Sequence, residues 1–356
     1  MNKKSLKNFI LVLGATVLFL SSCEKNDPEP DITAGNLKGM FVVCEGVYGQ
    51  ANGDISFYDS ETGTSVVSLF EAVNGVKPGD VVQSFEIVDT LGFILVNNSQ
   101  KVIVVNMKDF KVIKTINGFS YPRSLVRADD NTVYVSNGNG TASNYIYSID
   151  LLHLEKTDSL EVTGGPEKLI YLNMKVYAAI PGGWNNDGNS VIGINPSTFS
   201  ITDTYEVASV PVDLVADKDA NIWAYCKGIP DYSNYPDVTY TDSGISKIKV
   251  STGEVTTFSL PGMITRGINN IAASPDGSII YYLGKGLYSI EAGAVQLPSS
   301  KLFDRVFYGM DVDPQSGNIV CLDDVSSKAV VLDPTGAEQY SFETAAFPNS
   351  VVFSYL

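Results

Sequence analysis

Apolar and polar residues alternate with period two along most of this chain, and one short phrase of that alternation returns seven times. It is an alternating run closed by Asp, Asn or another polar residue and then a turn. The copies are Ser56-Phe57-Tyr58-Asp59, Val104-Val105-Asn106, Tyr147-Ser148-Ile149-Asp150, Ile192-Gly193-Ile194-Asn195, Ser246-Lys247-Ile248-Lys249, Tyr288-Ser289-Ile290-Glu291 and Val330-Val331-Leu332-Asp333. Their spacings are 47, 44, 45, 54, 42 and 42 residues. A second phrase precedes each copy: an apolar strand, a tight polar turn, and another strand. Pro122 to Val135 is the clearest instance, and turns such as Asp217-Lys218-Asp219-Ala220-Asn221 and Ser274-Pro275-Asp276-Gly277-Ser278 carry hairpin chemistry. Short strands, four to a unit, with almost no helical periodicity predict an all-β fold: a seven-bladed β-propeller with four-stranded antiparallel blades.

The chain ends predict how the ring closes. Ser350 to Leu356 follows Phe347-Pro348-Asn349 as the innermost strand of a blade would, and no further strand comes after it. Met40 to Cys44 reads as a second strand lacking its first. Pairing of these N- and C-terminal strands completes one blade and leaves no open edge.

Ahead of the repeats the pattern changes. Lys3, Lys4 and Lys7 precede an apolar run from Phe9 to Leu20, too short to span a bilayer, and Leu20-Ser21-Ser22-Cys23 matches the signal for lipid attachment to cysteine. The expected organisation is a lipoprotein signal peptide over 1–22, an acidic, disordered tether over 23–37 beginning at acylated Cys23, and the propeller over 38–356. Glu24 to Asp31 resembles the acidic signals that send some Gram-negative lipoproteins to the outer face of the outer membrane, so the expected location is lipid-anchored at the cell exterior.

Charge narrows the partners. The chain has 24 basic and 40 acidic residues, and removal of the signal peptide takes away three more lysines. Such a surface repels phosphate backbones, so no nucleic-acid partner is expected. Cys44, Cys226 and Cys321 sit in apolar runs without metal-site spacing and read as buried free thiols.

Function is expected on the face that carries the loops between second and third strands, together with the segments leading into the first strands. These loops are rich in glycine, amides and aromatics. The candidates for ligand binding are Tyr48, Asn98, Asn139, Tyr145, Trp184, Asn185, Asn186, Tyr232 and Tyr235. Aromatic rings with a polar handle, mixed with amides, suit a large neutral ligand dense in amides or hydroxyls. Trp184 with Tyr232 or Tyr235, on loops of adjacent units, is expected to wall one side of a concave site. Arg123, Arg266 and Arg305 lead into first strands at the channel rim, where they either receive a phosphate or carboxylate or pair with the chain's own acids. The single histidine, His153, lies in a turn on the opposite face, and no phosphate-binding glycine loop is present. Neither a catalytic residue, a metal site nor a resident cofactor is expected; Asp129-Asp130, Asp217/Asp219 and Asp323-Asp324 read as turn residues.

The lipid-attachment signal, the acidic tether, seven degenerate blades, and the phrases Gly39-Met40-Phe41-Val42-Val43-Cys44-Glu45-Gly46 and Asn52-Gly53-Asp54-Ile55-Ser56-Phe57-Tyr58 together resemble the surface propeller lipoproteins that capture cobalamin (BtuG type). That resemblance implies a non-enzymatic protein that binds vitamin B12 and passes it to a TonB-dependent outer-membrane transporter. Two other readings stay open: a surface glycan-binding propeller, with Trp184 and the tyrosines as stacking platforms, and a propeller lactonase or lyase.

Overall fold

The computed structural model describes residues 37–141, 144–235, 238–260 and 267–355. The signal peptide, nearly all of the tether, Cys23 and Arg266 lie outside them. The described chain forms the seven-bladed propeller that the repeats predict. Blade 2 is representative: Val82–Val88, Leu91–Val96, Lys101–Asn106 and Val112–Asn117 pair antiparallel in that order from the axis outward. Blade 1 is composite, with Pro348–Ser354 innermost and Gly39–Cys44 beside it in register Phe41↔Val352. The two chain ends therefore close the ring by hydrogen bonding.

The first strands of the seven blades touch one another in an unbroken circle, from Pro348–Ser354 through Val82–Val88 round to Gly309–Val312 and back. One buried apolar cluster lies between each adjacent pair of blades, seven in all among the described residues. This is why strands read with period two: each face of a blade packs on a neighbour, and the alternate residues feed alternate clusters. Val133 and Val135 of blade 3 pack toward blade 2, whereas Tyr134 between them packs toward blade 4. Outer strands face solvent on their edge and turn polar, as in Glu155–Glu161.

Three departures from the simple repeat matter. Blade 6 has three strands, and an isolated bridge from Leu287 to Phe303 stands where a fourth would pair. A short helix, Leu69–Asn74, fills the connection between blades 1 and 2; it ends on Gly75 in the left-handed conformation. The insertion in blade 5 forms its own hairpin, Ile229–Asp231 with Thr239–Thr241.

The three cysteines are buried and free, and burial pushes the Cys44 and Cys226 thiols up to about 12. Asp217 is buried and accepts hydrogen bonds from Asn221 Nδ2 and from Trp223 Nε1 (both 2.9 Å). It therefore belongs to the hairpin turn of blade 5, as the turn chemistry predicts.

Candidate functional site

Each blade contributes one residue to a ring around the upper end of the axis, at the position directly after the residue that leads into its first strand. The ring is Gln83, Arg123, Glu167, Val212, Asn269, Tyr308 and Asn349. Six of the seven are polar, and they bond across blade boundaries. Arg123 grips Glu167 with Nε and Nη2 (2.7–2.9 Å) and donates from Nη1 to Gln83 Oε1 (2.8 Å). Asn349 Nδ2 donates to the Gln83 carbonyl (3.1 Å) and to Glu45 Oε1 (2.8 Å), and Glu45 Oε2 accepts from the Tyr308 hydroxyl (3.1 Å). Asn269 Nδ2 closes on the Asn349 carbonyl (3.1 Å). This girdle crosses the mouth of the channel. Burial raises the Glu45 carboxyl above its ordinary range, against the opposing pull of the Asn349 and Tyr308 hydrogen bonds.

On the outer side of the girdle lies a cavity of about 390 Å³, bounded by loops of blades 2 to 6. Its floor holds Arg123, Glu167 and Lys227, and its wall holds Tyr121 and Trp184, whose rings meet edge to face at 5.2 Å. Asn139 and Asn186 add amides. Burial lowers the Lys227 ammonium to about 8, with the Arg123 charge adding to the effect and that of Glu167 opposing it.

Local backbone chemistry explains why Trp184 stands there. It lies in a single 3₁₀ turn, Gly183–Asn185, and its backbone N–H donates to the Asn139 carbonyl of the neighbouring blade (2.7 Å). Gly183, at φ +59°, allows that approach; a Cβ there would fall 2.0 Å from the Asn139 carbonyl. Tyr121 is placed by Asn137, whose Oδ1 accepts from the N–H groups of Ser120 and Tyr121 (2.8 and 3.0 Å).

The structure brings together four of the sequence candidates: Arg123, Asn139, Trp184 and Asn186. Asn185 sits beside them, its amide near the Gly140 carbonyl at 3.5 Å. Tyr48 and Asn98 form a separate group near blades 1 and 2: Asn98 Nδ2 donates to Asp80 Oδ2 (2.5 Å), Gly49 N–H bonds the same carboxylate (3.0 Å), and the adjacent Tyr48 is exposed. Tyr145 begins the third strand of blade 3 and packs beside Tyr147 at 5.7 Å. Arg305 pairs with Asp323, and Arg123 with Glu167, so both described rim arginines meet the chain's own acids. The wall expected from Trp184 with Tyr232 or Tyr235 is instead Trp184 with Tyr121. The blade 5 insertion closes on itself as a hairpin and leaves Tyr232 and Tyr235 on its exposed turn, 62% and 79% accessible. His153 is exposed on the opposite face, bonded by Asp150 Oδ2 at 2.7 Å.

Sequence reasoning did not single out Tyr121, Glu167 or Lys227. Their signal was positional: Glu167 follows Pro166 as Arg123 follows Pro122, one repeat apart.

The family model described as "Domain of unknown function (DUF5074)" matches residues 38–322. The chain belongs to that family. No curated protein matches it by sequence. Among solved structures it is similar to a quinonprotein alcohol dehydrogenase-like protein from Bacteroides thetaiotaomicron, at 16% identity and a TM-score of 0.65 over 89% of this chain and 78% of that one. It is also similar to a functionally unknown protein from Desulfotomaculum acetoxidans, at 13% identity and 0.63 over 89% and 98%. The periplasmic gluconolactonase of Pseudomonas aeruginosa aligns at 11% identity and 0.62 over 89% and 99%. At these identities the likeness of this DUF5074 chain to all three is one of fold.

Proposed function

We propose that this DUF5074 propeller is a lipid-anchored capture protein of the outer membrane, facing the exterior, that binds cobalamin in the cavity above the girdle and hands it to a TonB-dependent transporter. The observation that carries the reading is the cavity itself. It combines an aromatic wall, amide groups and a charged floor in one concavity on the loop-bearing face. Cobalamin is a broad corrin rimmed with amides, with a nucleotide tail bearing a phosphate. The corrin rim matches Asn139 and Asn186, an apolar edge matches Tyr121 and Trp184, and the tail phosphate matches the floor cations Arg123 and Lys227, which exceed the single carboxylate of Glu167 by one charge. The acidic tether and the signal at Cys23 supply the anchor in this reading.

The reading is non-catalytic. Glu167, the carboxylate of the cavity floor, is gripped at both oxygens by Arg123, which holds it as a fixed ion pair rather than a mobile base. Titration of the full-length protein in detergent with cyanocobalamin, followed by calorimetry and corrin absorbance, tests it. Saturable one-to-one binding with a spectral shift is expected. Absence of both, with hydrolysis of a sugar lactone instead, overturns it in favour of the lactonase alternative.

A further inference from the structure

Beneath the girdle the axis opens into a second cavity of about 330 Å³, reached from the opposite face, where Tyr171 stands half exposed at its edge. Its chemistry differs from that of the upper cavity. Three residues on from each ring position, the first strands carry Glu86, Val126, Ile170, Val215 and Val352 in blades 2, 3, 4, 5 and 1, and blades 6 and 7 add Ala272 and Asp311. This layer is an apolar collar interrupted by two carboxylates. Glu86, Val126, Ile170, Asp311 and Val352 all line the cavity.

The cation nearest to these carboxylates is already engaged. Lys168 Nζ lies 3.9 Å from Asp213 Oδ1, and Asp213 in turn accepts N–H groups from Leu214, Asn270 and Ile271. The Glu86 carboxyl makes no hydrogen bond among the described residues, its backbone pairing with Phe93 in the blade. Among the described residues the Asp311 carboxyl accepts only from the N–H of Val312 beside it (2.7 Å). Both are near enough to Lys168 and to each other for their charges to interact, which leaves three carboxylates facing one ammonium.

We infer that this lower channel is a second ligand site, built for a small alkylammonium ion whose amine lies between Glu86 and Asp311 and whose hydrocarbon part packs on the collar. A metal ion fits less well: apart from the two carboxylates the collar is apolar, and no group of three His, Cys, Asp or Glu side chains that could hold one occurs among the described residues. An organic amine satisfies both parts of the wall. Confinement by the channel pushes Glu86 up to about 7 and Asp311 up to about 6, so both titrate nearer neutrality than ordinary carboxyls and a bound cation would favour their ionised forms. Glu86 itself remains solvent-accessible, and the site is open to a diffusing ligand.

Calorimetric titration of the full-length protein with n-butylammonium chloride, with 1-butanol as the uncharged control, tests this inference independently of cobalamin. Near pH 8 the amine binds saturably and the alcohol does not. Glu86→Gln and Asp311→Asn each weaken binding by at least about tenfold, the worth of one lost charge contact. Affinity falls as the pH drops toward about 5.5, because the carboxyls are then protonated. Glu86→Gln leaves the melting temperature near that of the parent and keeps the test valid if Asp311→Asn fails to fold. Absence of saturable amine binding, equal binding of the alcohol, or parental affinity in Glu86→Gln overturns the inference.

Discussion

Two neighbouring loops of the same face carry the same ingredients and end up doing different things. The blade 4 loop, 181–189, and the blade 5 insertion, 228–243, both combine glycine, asparagine and aromatic residues: three, three and one in the first, one, one and three in the second. The first borrows backbone from the adjacent blade: the Trp184 N–H bonds the Asn139 carbonyl, two glycines let the chains meet, and the indole is set against Tyr121. The second pairs with itself, Pro230 opposite Tyr240, and its base is tied down by Ser209 donating to Asp242. Its tyrosines consequently stand clear of the cavity. Aromatic content marks a loop as a candidate surface, but the partner of its backbone decides where the rings go.

The largest effect should come from breaking the borrowed contact. Gly183→Ala forces a Cβ into the Asn139 backbone at a positive φ. It should cost about 2–4 kcal/mol, from overpacking and left-handed strain together, and abolish cobalamin binding. A thermal melt and one titration check it; parental values for both would show that the loops need no close approach.

Arg123→Ala comes next. It leaves Glu167, whose side chain is only 9% exposed, without its guanidinium, at a cost of about 2–4 kcal/mol. Arg305→Ala is the contrasting case. That arginine is 41% exposed, and Asp323 keeps hydrogen bonds from Val325 and Ser326, so the loss should stay under about 1 kcal/mol. Chemical denaturation of the two variants side by side decides whether the girdle is structurally distinct from the rest of the rim.

Affinity separates the two loops directly. Trp184→Ala should weaken cobalamin binding by at least about tenfold, the worth of one aromatic face, with little change in stability because the ring is largely exposed. The Tyr232/Tyr235 double alanine variant should change affinity less than about twofold. Equal losses in both variants would return the hairpin to the site wall.

A smaller effect concerns Lys227, the last residue before the hairpin. Its folded-state pKa is lowered to about 8, so between that value and the ordinary lysine range the unfolded chain binds more protons. Stability therefore gains from this group as pH rises through that window and is reduced below it. Lys227→Met should remove that portion of the pH dependence. The difference in melting temperature between parent and variant, followed from about pH 7 to 10, measures it. A flat difference would place the ammonium in an unstrained environment.

Much of this was legible in the sequence, for definite reasons. Period-two alternation with a fixed repeat leaves few architectures, and the odd strand at each end, Met40–Cys44 and Ser350 onward, needed only each other. The hairpin was not legible, because 229–241 has too few residues per strand to show alternation. Nor was the bridge that replaces the fourth strand of blade 6. At the site, Trp184, Asn139, Asn186 and Arg123 were visible as residue types on the right face. Glu167 and Tyr121 needed the repeat to be read in phase, so that Pro122-Arg123 aligns with Pro166-Glu167 and the ion pair spans one blade boundary. Composition cannot show such a pair; register can.

The most direct test of the central claim is hydrogen–deuterium exchange of the full-length protein with and without cyanocobalamin. Slowed exchange confined to 119–123, 137–140 and 181–186 is the predicted result, since these segments carry the girdle arginine, the Asn139 loop and the Trp184 turn. Protection over 228–241 or on the opposite face, with those three segments unchanged, would contradict it.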